Sequence, residues 1–294
     1  MVNPLVCIVT INYNSSAHTI EMVQSVYESD YSNIRIIVVD NASAEEEYRK
    51  LNVISEKAVI IKNQENLGFS GGNNVGIRRA LEFGADYIMI VNNDTVLEKN
   101  AISIMMQAVC KESIDIICPK ILNYYNRKKL NYAGGSLEDY KGGISIWGLG
   151  KEDNGQFDEP QRITFADGCC ALASAEVWKD VNLMDERYFL YYEDVALSKS
   201  FNLLGKKIYY WPEAVIYHKE STSTVKYSDN YQYYLCRNRL MYIKESIKWP
   251  MKYVAYGYTF LYILKNLKRK NFQINNVKEA IKDFNNGIYG RRRK

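Results

Sequence analysis

The sequence has no Cys-x-x-Cys pair. Its six cysteines (7, 110, 118, 169, 170 and 236) are scattered, which excludes a disulfide-stapled scaffold and reads as a reduced, cytosolic chain. Met1 to Asn3 lead straight into a strand and leave no room for a secretory signal. No apolar run is long enough to cross a bilayer. The best, Trp249 to Leu264, has 16 residues, against the roughly 20 a spanning helix needs. Internal repeats and low-complexity segments are absent. The first strand–helix turn, Asn12 to Ser16, has no glycine, so a dinucleotide fingerprint fails at the position where it would be required. The same turn is neither Gly-rich nor basic, as a sugar nucleotidyltransferase would want. Histidine occurs only at positions 18 and 218.

What is present suits a sizeable core. Apolar residues make up 47% of the 294, and 24% are charged, ordinary for a soluble protein. That length fits one large domain, or one domain with an extension. The 25 tyrosines suit wet clefts and membrane interfaces. The net charge of +4 hides an asymmetry. Asp229 to Lys294 carry 15 Lys and Arg against 4 Asp and Glu, and the rest of the chain 23 against 30. A basic tail on an acidic body points to an anionic partner for the tail, and the acidic body argues against nucleic acid.

Along the chain, Leu5–Ile11, Ile34–Val39, Ala58–Ile61 and Ile88–Val91 read as strands. Helices alternate with them: one carries Ile20, Val23 and Val26, Ser43 reads as the N-cap of a second, and a third runs from Ser70 to Phe83, closed by Gly84. This β-α-β-α-β-α-β order predicts parallel strands with right-handed crossovers. Three strand ends are unusually polar: Thr10 to Asn14, Asp40-Asn41, and Asn92-Asn93-Asp94. In a parallel sheet these share one edge, where open α/β sheets bind ligands. Asp94 is a hard oxygen ligand suited to Mg²⁺ or Mn²⁺. Further on, Ala101–Val109 is helical in period, and Ile114–Cys118 reads as a strand stopped by Pro119. A glycine-punctuated region contains Trp147. Gly168–Ala173 reads as a central strand, and two strands, 207–211 and 214–217, flank Pro212. From Ser228 the pattern is helical. Trp249 to Leu264, flanked by Lys265 to Lys270, suits a helix lying in a membrane interface or packed on the body.

The ordered set Val9-Thr10-Ile11-Asn12-Tyr13-Asn14, Val38-Val39-Asp40-Asn41-Ala42-Ser43, Asn66 to Gly76, Asn92-Asn93-Asp94, Phe189 to Asp194 and His218 resembles the inverting GT-A glycosyltransferases of family 2. In particular it resembles their bacterial rhamnosyltransferase-like branch. The resemblance covers about residues 5 to 220. It implies an α/β GT-A domain over 1–225, with a mostly parallel nucleotide-binding sheet and a smaller antiparallel acceptor part. Residues 226–294 would form a helical, basic and aromatic extension.

On this resemblance Thr10, Asn12 and Asn14 match the first nucleotide-contacting turn, and Asp40 the residue that hydrogen-bonds the donor's base. Asn41, Gly72, Asn74, Asn92, Asn93 and Asp94 complete the donor set, with Asn74 at a helix start that favours phosphate. Asn92 and Asp94 replace the family's DxD motif, one carboxylate having become an amide. Asp94 and His218 would hold Mg²⁺ or Mn²⁺. Within the acidic pair Glu193-Asp194, Asp194 aligns with the general base. The residue two past it, often Asp in the family, is Ala196. Trp147 is a candidate acceptor-binding platform.

The implied activity is metal-dependent, inverting hexosyl transfer from a nucleoside diphosphate sugar, dTDP-rhamnose first and UDP-sugars next. The acceptor would be a lipid-linked or cell-surface polysaccharide, met at the inner face of the cell membrane. A non-catalytic sugar-nucleotide or glycan-binding subunit is the alternative, supported by the lost carboxylates at Asn92 and Ala196. Plainer roles stay open for three residues: an N-cap for Asp194, a turn residue for Asp40 and a strand end for His218. His18 and the Cys169-Cys170 pair read as structural.

Overall fold

The computed structural model describes residues 3–219 and 227–293. Its first half is the expected alternation. Strands β1 (Val6–Asn12), β2 (Ile34–Asp40), β3 (Ala58–Lys62) and β4 (Tyr87–Val91) alternate with helices α1 (Ser16–Tyr27), α2 (Glu45–Lys50) and α3 (Gly68–Glu82). All four strands are parallel. Val6 to Val9 of β1 are fully buried, as a strand covered on both faces must be. Gly76 lets α3 lie against β1: a Cβ there would sit 2.3 Å from Val9 Cγ1.

The second half adds strand β5 (Thr95–Leu97), helix α4 (Ala101–Lys111), and strands β6 (Ile116–Asn123), β7 (Leu130–Tyr132), β8 (Gly135–Glu138), β9 (Gly143–Ile146) and β10 (Gln161–Ile163). Strand β11 (Cys170–Ser174), helices α5 (Ala175–Asp180) and α6 (Glu193–Leu203), and the long strand β12 (Ile208–His218) follow. The main sheet runs β10-β12-β6-β11-β4-β1-β2-β3, with β5 beside β12 and β7 beside β6; β8 and β9 form a separate pair. β11 is antiparallel to both neighbours and joins the two halves. The result is the mixed α/β architecture the sequence predicts.

Helices α7 (Asp229–Ser246), α8 (Met251–Lys268) and α9 (Ile274–Asn285) complete the chain. Met241, Tyr242 and Ile243 of α7 are buried in the same core as the sheet. A second cluster joins Tyr233, Tyr234 and Cys236 of α7 to Ile263 of α8, to Phe272, and to Val277 and Ala280 of α9. The boundary expected at 225/226 lies outside the described residues. Among them, no helix is long and apolar enough to cross a membrane.

Four local expectations are corrected. Pro119 does not stop a strand: β6 runs through it, because its partner Trp211 opens a register shift in β12 that needs no proline N–H. Pro212 sits in that same irregularity, so the two strands expected around it are one. Ser43 does not cap α2. Ala44 holds the cap position, and Ser43 Oγ accepts from Asn12 Nδ2 (3.1 Å) and from the Asn14 N–H (2.9 Å). Helix α3 starts at Gly68, so Asn74 lies well inside it and not at its N-terminus.

Candidate active site

The polar strand ends do meet. Asn12 and Asp40 are paired across β1 and β2, and β4 delivers Asn92 to Asp94 next to them. Asn12 is buried and bridges the group: Nδ2 donates to Asp40 Oδ1 (2.8 Å), and Oδ1 accepts from Thr19 Oγ1 (2.7 Å). Thr19 Oγ1 accepts in turn from Asn93 Nδ2 (2.9 Å). The other Asp40 oxygen accepts from the Ser43 N–H (3.1 Å), and Asn14 Oδ1 accepts from the Ala44 N–H (2.8 Å). Asn41 fixes the next loop. Its Nδ2 donates to Asn66 Oδ1 and Gly68 O, and its Oδ1 accepts from the Leu67 N–H, each at 3.0 Å.

Above this edge opens a cleft of about 940 Å³, the size of a small-molecule site. Asn41, Asn92, Asn93, Asp94, Glu193 and His218 all line it, together with Tyr13, Asn66 and Phe69. Asp94 and His218 lie together on its floor. His218 Nε2 lies 3.1 Å from Asp94 Oδ1. Pairing of Thr95 with His218 across β5 and β12, and the Lys219 N–H on Asp94 O (2.9 Å), set this distance. Burial opposes ionisation of Asp94, but the hydrogen bond and charge of His218 outweigh it and hold the carboxyl below its ordinary range. Two ligands about 2.1 Å from one octahedral ion stand about 3.0 Å apart. The pair therefore fits Mg²⁺ or Mn²⁺. Among the described residues no cluster of three or more His, Cys, Asp or Glu makes a complete metal cage. Other ligands would come from water and a bound phosphate.

The acidic pair sits at the start of α6, beyond a strained turn. Tyr191 and Tyr192 both have positive φ (65° and 73°), costly for residues with a Cβ. Two contacts hold this turn. Buried Asn238 of α7 donates from Nδ2 to Leu190 O (2.9 Å) and Tyr191 O (2.8 Å). On the other side the Phe69 N–H donates to Phe189 O (2.8 Å). Only glycine fits at position 68, where φ is +73° and a Cβ would lie 2.2 Å from Phe189 O.

Glu193 faces the cleft, and its buried Oε2 has no hydrogen-bond partner among the described residues. Burial, with the nearby Asp194 charge, pushes its carboxyl well above the usual range. Asp194 is half-buried behind it, inside the first turn and not at the N-cap, accepting from the Val195 N–H (2.8 Å). Burial and the Asp167 charge raise its carboxyl to about 7.

Eight expected residues do not line the cleft: Asn12, Asn14, Asp40 and Asp194, which stand just behind its lining, and Thr10, Gly72, Asn74 and Trp147. Thr10 is fully buried in β1. Gly72 packs under Ile11, where a Cβ would lie 2.9 Å from Cδ1. Asn74 turns away and clamps the loop after α5, with Nδ2 donating to Met184 O (2.9 Å) and Oδ1 accepting from the Met184 N–H (3.0 Å). Trp147 lies over Gly134 against the core, held by the 2.9 Å bond from its N–H to Gly134 O. The glycine-punctuated region around it forms the antiparallel pair β8 and β9. His18 is structural: Nδ1 lies 3.1 Å from Lys219 Nζ, which also pairs with Glu21.

Two groups escaped the sequence reading. Asp167 gives its charge to Asp194 from the bend before β11, where it accepts from the Cys169 N–H (2.8 Å). Arg291 and Arg292, which the sequence shows only as part of the basic tail, line the cleft.

The chain is similar to known proteins in sequence and in fold. The family model for glycosyl transferase family 2 matches residues 7–181. The low-salt glycan biosynthesis hexosyltransferase Agl10 of Haloferax volcanii is 26% identical over 240 residues, 80% of this chain and 74% of that protein. The dTDP-rhamnosyl transferase RfbF of Shigella flexneri is 24% identical, over 81% of this chain and 79% of its own. In fold, the chain is similar to the mannosyltransferase PcManGT of Pyrobaculum calidifontis, solved with GDP-Man and Mn²⁺. That match has a TM-score of 0.60 and 12% identity and covers 95% of this chain and 74% of the other. The chain belongs to glycosyl transferase family 2 and is a nucleotide-sugar-dependent glycosyltransferase of the GT-A fold.

Proposed function

We propose that this enzyme transfers a hexose, with inversion, from a nucleoside diphosphate donor to a lipid-linked polysaccharide acceptor at a membrane surface. The observation that carries the chemistry is the Asp94–His218 pair on the floor of a cleft that also holds Glu193. A Mg²⁺ or Mn²⁺ ion held there would act as a Lewis acid toward the leaving diphosphate.

The chain's own residues do the rest. Tyr13, half-exposed beside Asn41, offers a flat face for the donor base. Asp40, fully buried, accepts from Asn12 and Ser43 and fixes the wall behind that pocket. Asp194, raised to about 7, would take the proton from the attacking acceptor hydroxyl. Glu193, whose buried Oε2 has no partner among the described residues, would hydrogen-bond the sugar or the acceptor. Attack from the side opposite the diphosphate inverts the anomeric centre.

Rhamnose from dTDP-rhamnose is the first donor reading, supported by the likeness to RfbF. Membrane contact is supported by α8, whose Trp249 flank, Tyr253, Phe260 and Leu261 are 62–78% exposed and bordered by Lys252, Lys265 and Lys268. The experiment is a transfer assay with dTDP-rhamnose and Mn²⁺ on a prenyl-diphosphate-linked sugar. Product with the inverted linkage supports the reading. Transfer from other donors only would move the donor assignment, and product with retained configuration would refute the mechanism.

A further inference from the structure

We propose that Arg291, carried back to the cleft mouth by the C-terminal segment, forms a phosphate-binding subsite of this enzyme; the inference rests on nucleotide-sugar transfer as the work of the cleft. The lining has two fixed cations, Arg291 and Arg292, and no lysine among the described residues. Arg292 is already committed. Its Nε donates to Glu279 Oε1 (2.9 Å) and its Nη2 to Asn276 Oδ1 (3.0 Å), with a further Nη2 contact to Glu279 Oε2. Its guanidinium lies 4.6 Å from the centre of the Tyr233 ring. The Arg292 N–H donates to Tyr234 Oη (2.8 Å), and the Gly290 N–H to Arg187 O (2.9 Å). These bonds fix residues 290–292 against α7 and α9.

Arg291 is held in place only through its neighbours. Its exposed guanidinium has no hydrogen bond, ion pair or ring contact among the described residues. The same wall carries Ser228 and Asn230 at the N-terminus of α7, where the helix dipole favours anions. Asp229, the acid in that turn, is engaged on the other side, accepting from Asn276 Nδ2 (2.9 Å).

A planar guanidinium with free donors matches phosphate oxygens two at a time. The chemistry also requires such a group. A diphosphate entering a cleft already lined by the Asp94 carboxylate brings more negative charge than one divalent ion offsets. The phosphate could be the donor's diphosphate or the phosphate that links the acceptor to its lipid.

The test uses the full chain with Mn²⁺ and calorimetric titration of UDP, dTDP, inorganic pyrophosphate and geranyl diphosphate. Arg291→Ala should weaken binding about tenfold, Arg291→Lys should recover part of it, and Arg293→Ala, which changes the same net charge outside the cleft lining, should leave it unchanged. Loss confined to UDP, dTDP and pyrophosphate assigns the donor diphosphate. Loss confined to geranyl diphosphate assigns the acceptor phosphate. Equal affinity of Arg291→Ala and wild type for all four, or an equal loss in Arg293→Ala, overturns the subsite. If wild type binds neither nucleotide, the transferase reading falls, while the subsite still stands or falls on Arg291-dependent binding of pyrophosphate.

Discussion

Asp94 Oδ1 and His218 Nε2 lie 3.1 Å apart although one follows β4 and the other ends β12. The strand between them, β5, pairs with β12 and so sets the distance. If the two share a metal ion, removing the carboxylate should cost most. Asp94→Ala should lower Mn²⁺-dependent turnover by about 100-fold or more, and His218→Ala by about tenfold. Asn92→Ala and Asn93→Ala should be milder than Asp94→Ala. A Mn²⁺ titration of each variant checks the order, and an unchanged metal dependence in Asp94→Ala would remove it from the metal site.

The like charge of Asp167 gives a pH prediction. A base must be ionised to work, and burial and Asp167 raise the Asp194 carboxyl to about 7. Activity should therefore fall as pH drops through about 7. Asp167→Asn removes a negative neighbour, so the acid limb should move to lower pH, by about one unit. A pH–kcat/KM profile of both proteins decides; a limb that stays in place would separate Asp167 from the base.

Asn238 predicts a mutation effect at a distance from the cleft. It ties α7 to the strained Tyr191–Tyr192 turn that precedes the acidic pair. Asn238→Ala leaves two partly buried carbonyls without their donor, at a cost of about 1 kcal/mol in stability. Turnover should fall about tenfold, with donor affinity nearly unchanged. Thermal unfolding and a kcat-against-KM split measure the two effects, and wild-type turnover would show that the turn holds itself.

Helix α8 gives the membrane prediction. Tyr253→Glu together with Phe260→Glu places charge on its exposed apolar side without touching the core. Flotation with vesicles of anionic lipid should fall at least tenfold, since each buried aromatic contributes about 1.5–3 kcal/mol. Transfer to a water-soluble acceptor should persist. Equal flotation of variant and wild type would end the membrane reading. Truncation at 229 cannot serve here, because Met241, Tyr242 and Ile243 belong to the main core.

Much of this site was legible because parallel strands are written as short apolar runs and their ends as abrupt polar clusters. Asn12, Asp40 and Asn92 to Asp94 were found that way, and their shared edge follows from β-α-β order alone. What stayed hidden depends on contacts between distant segments. Asn74 looked like a helix start, yet α3 begins at Gly68 because the loop zips onto Phe189. Asp167 carries no local motif, and its influence comes only from lying beside Asp194. The Arg291–Arg293 run was visible as charge, but nothing in the sequence says that α7 and α9 fold it back to the cleft. Strand β12 was split at Pro212 because a bulge that tolerates proline is a property of the paired strand, not of the residue.

The most direct measurement is release of nucleoside diphosphate from a panel of nucleotide sugars, with Mg²⁺ or Mn²⁺, by wild type and Asp194→Asn. A glycosyltransferase using this site should turn over at least one donor, and Asp194→Asn should lose that turnover while still binding the nucleotide. Full activity in Asp194→Asn, or no turnover of any donor by wild type, would contradict it.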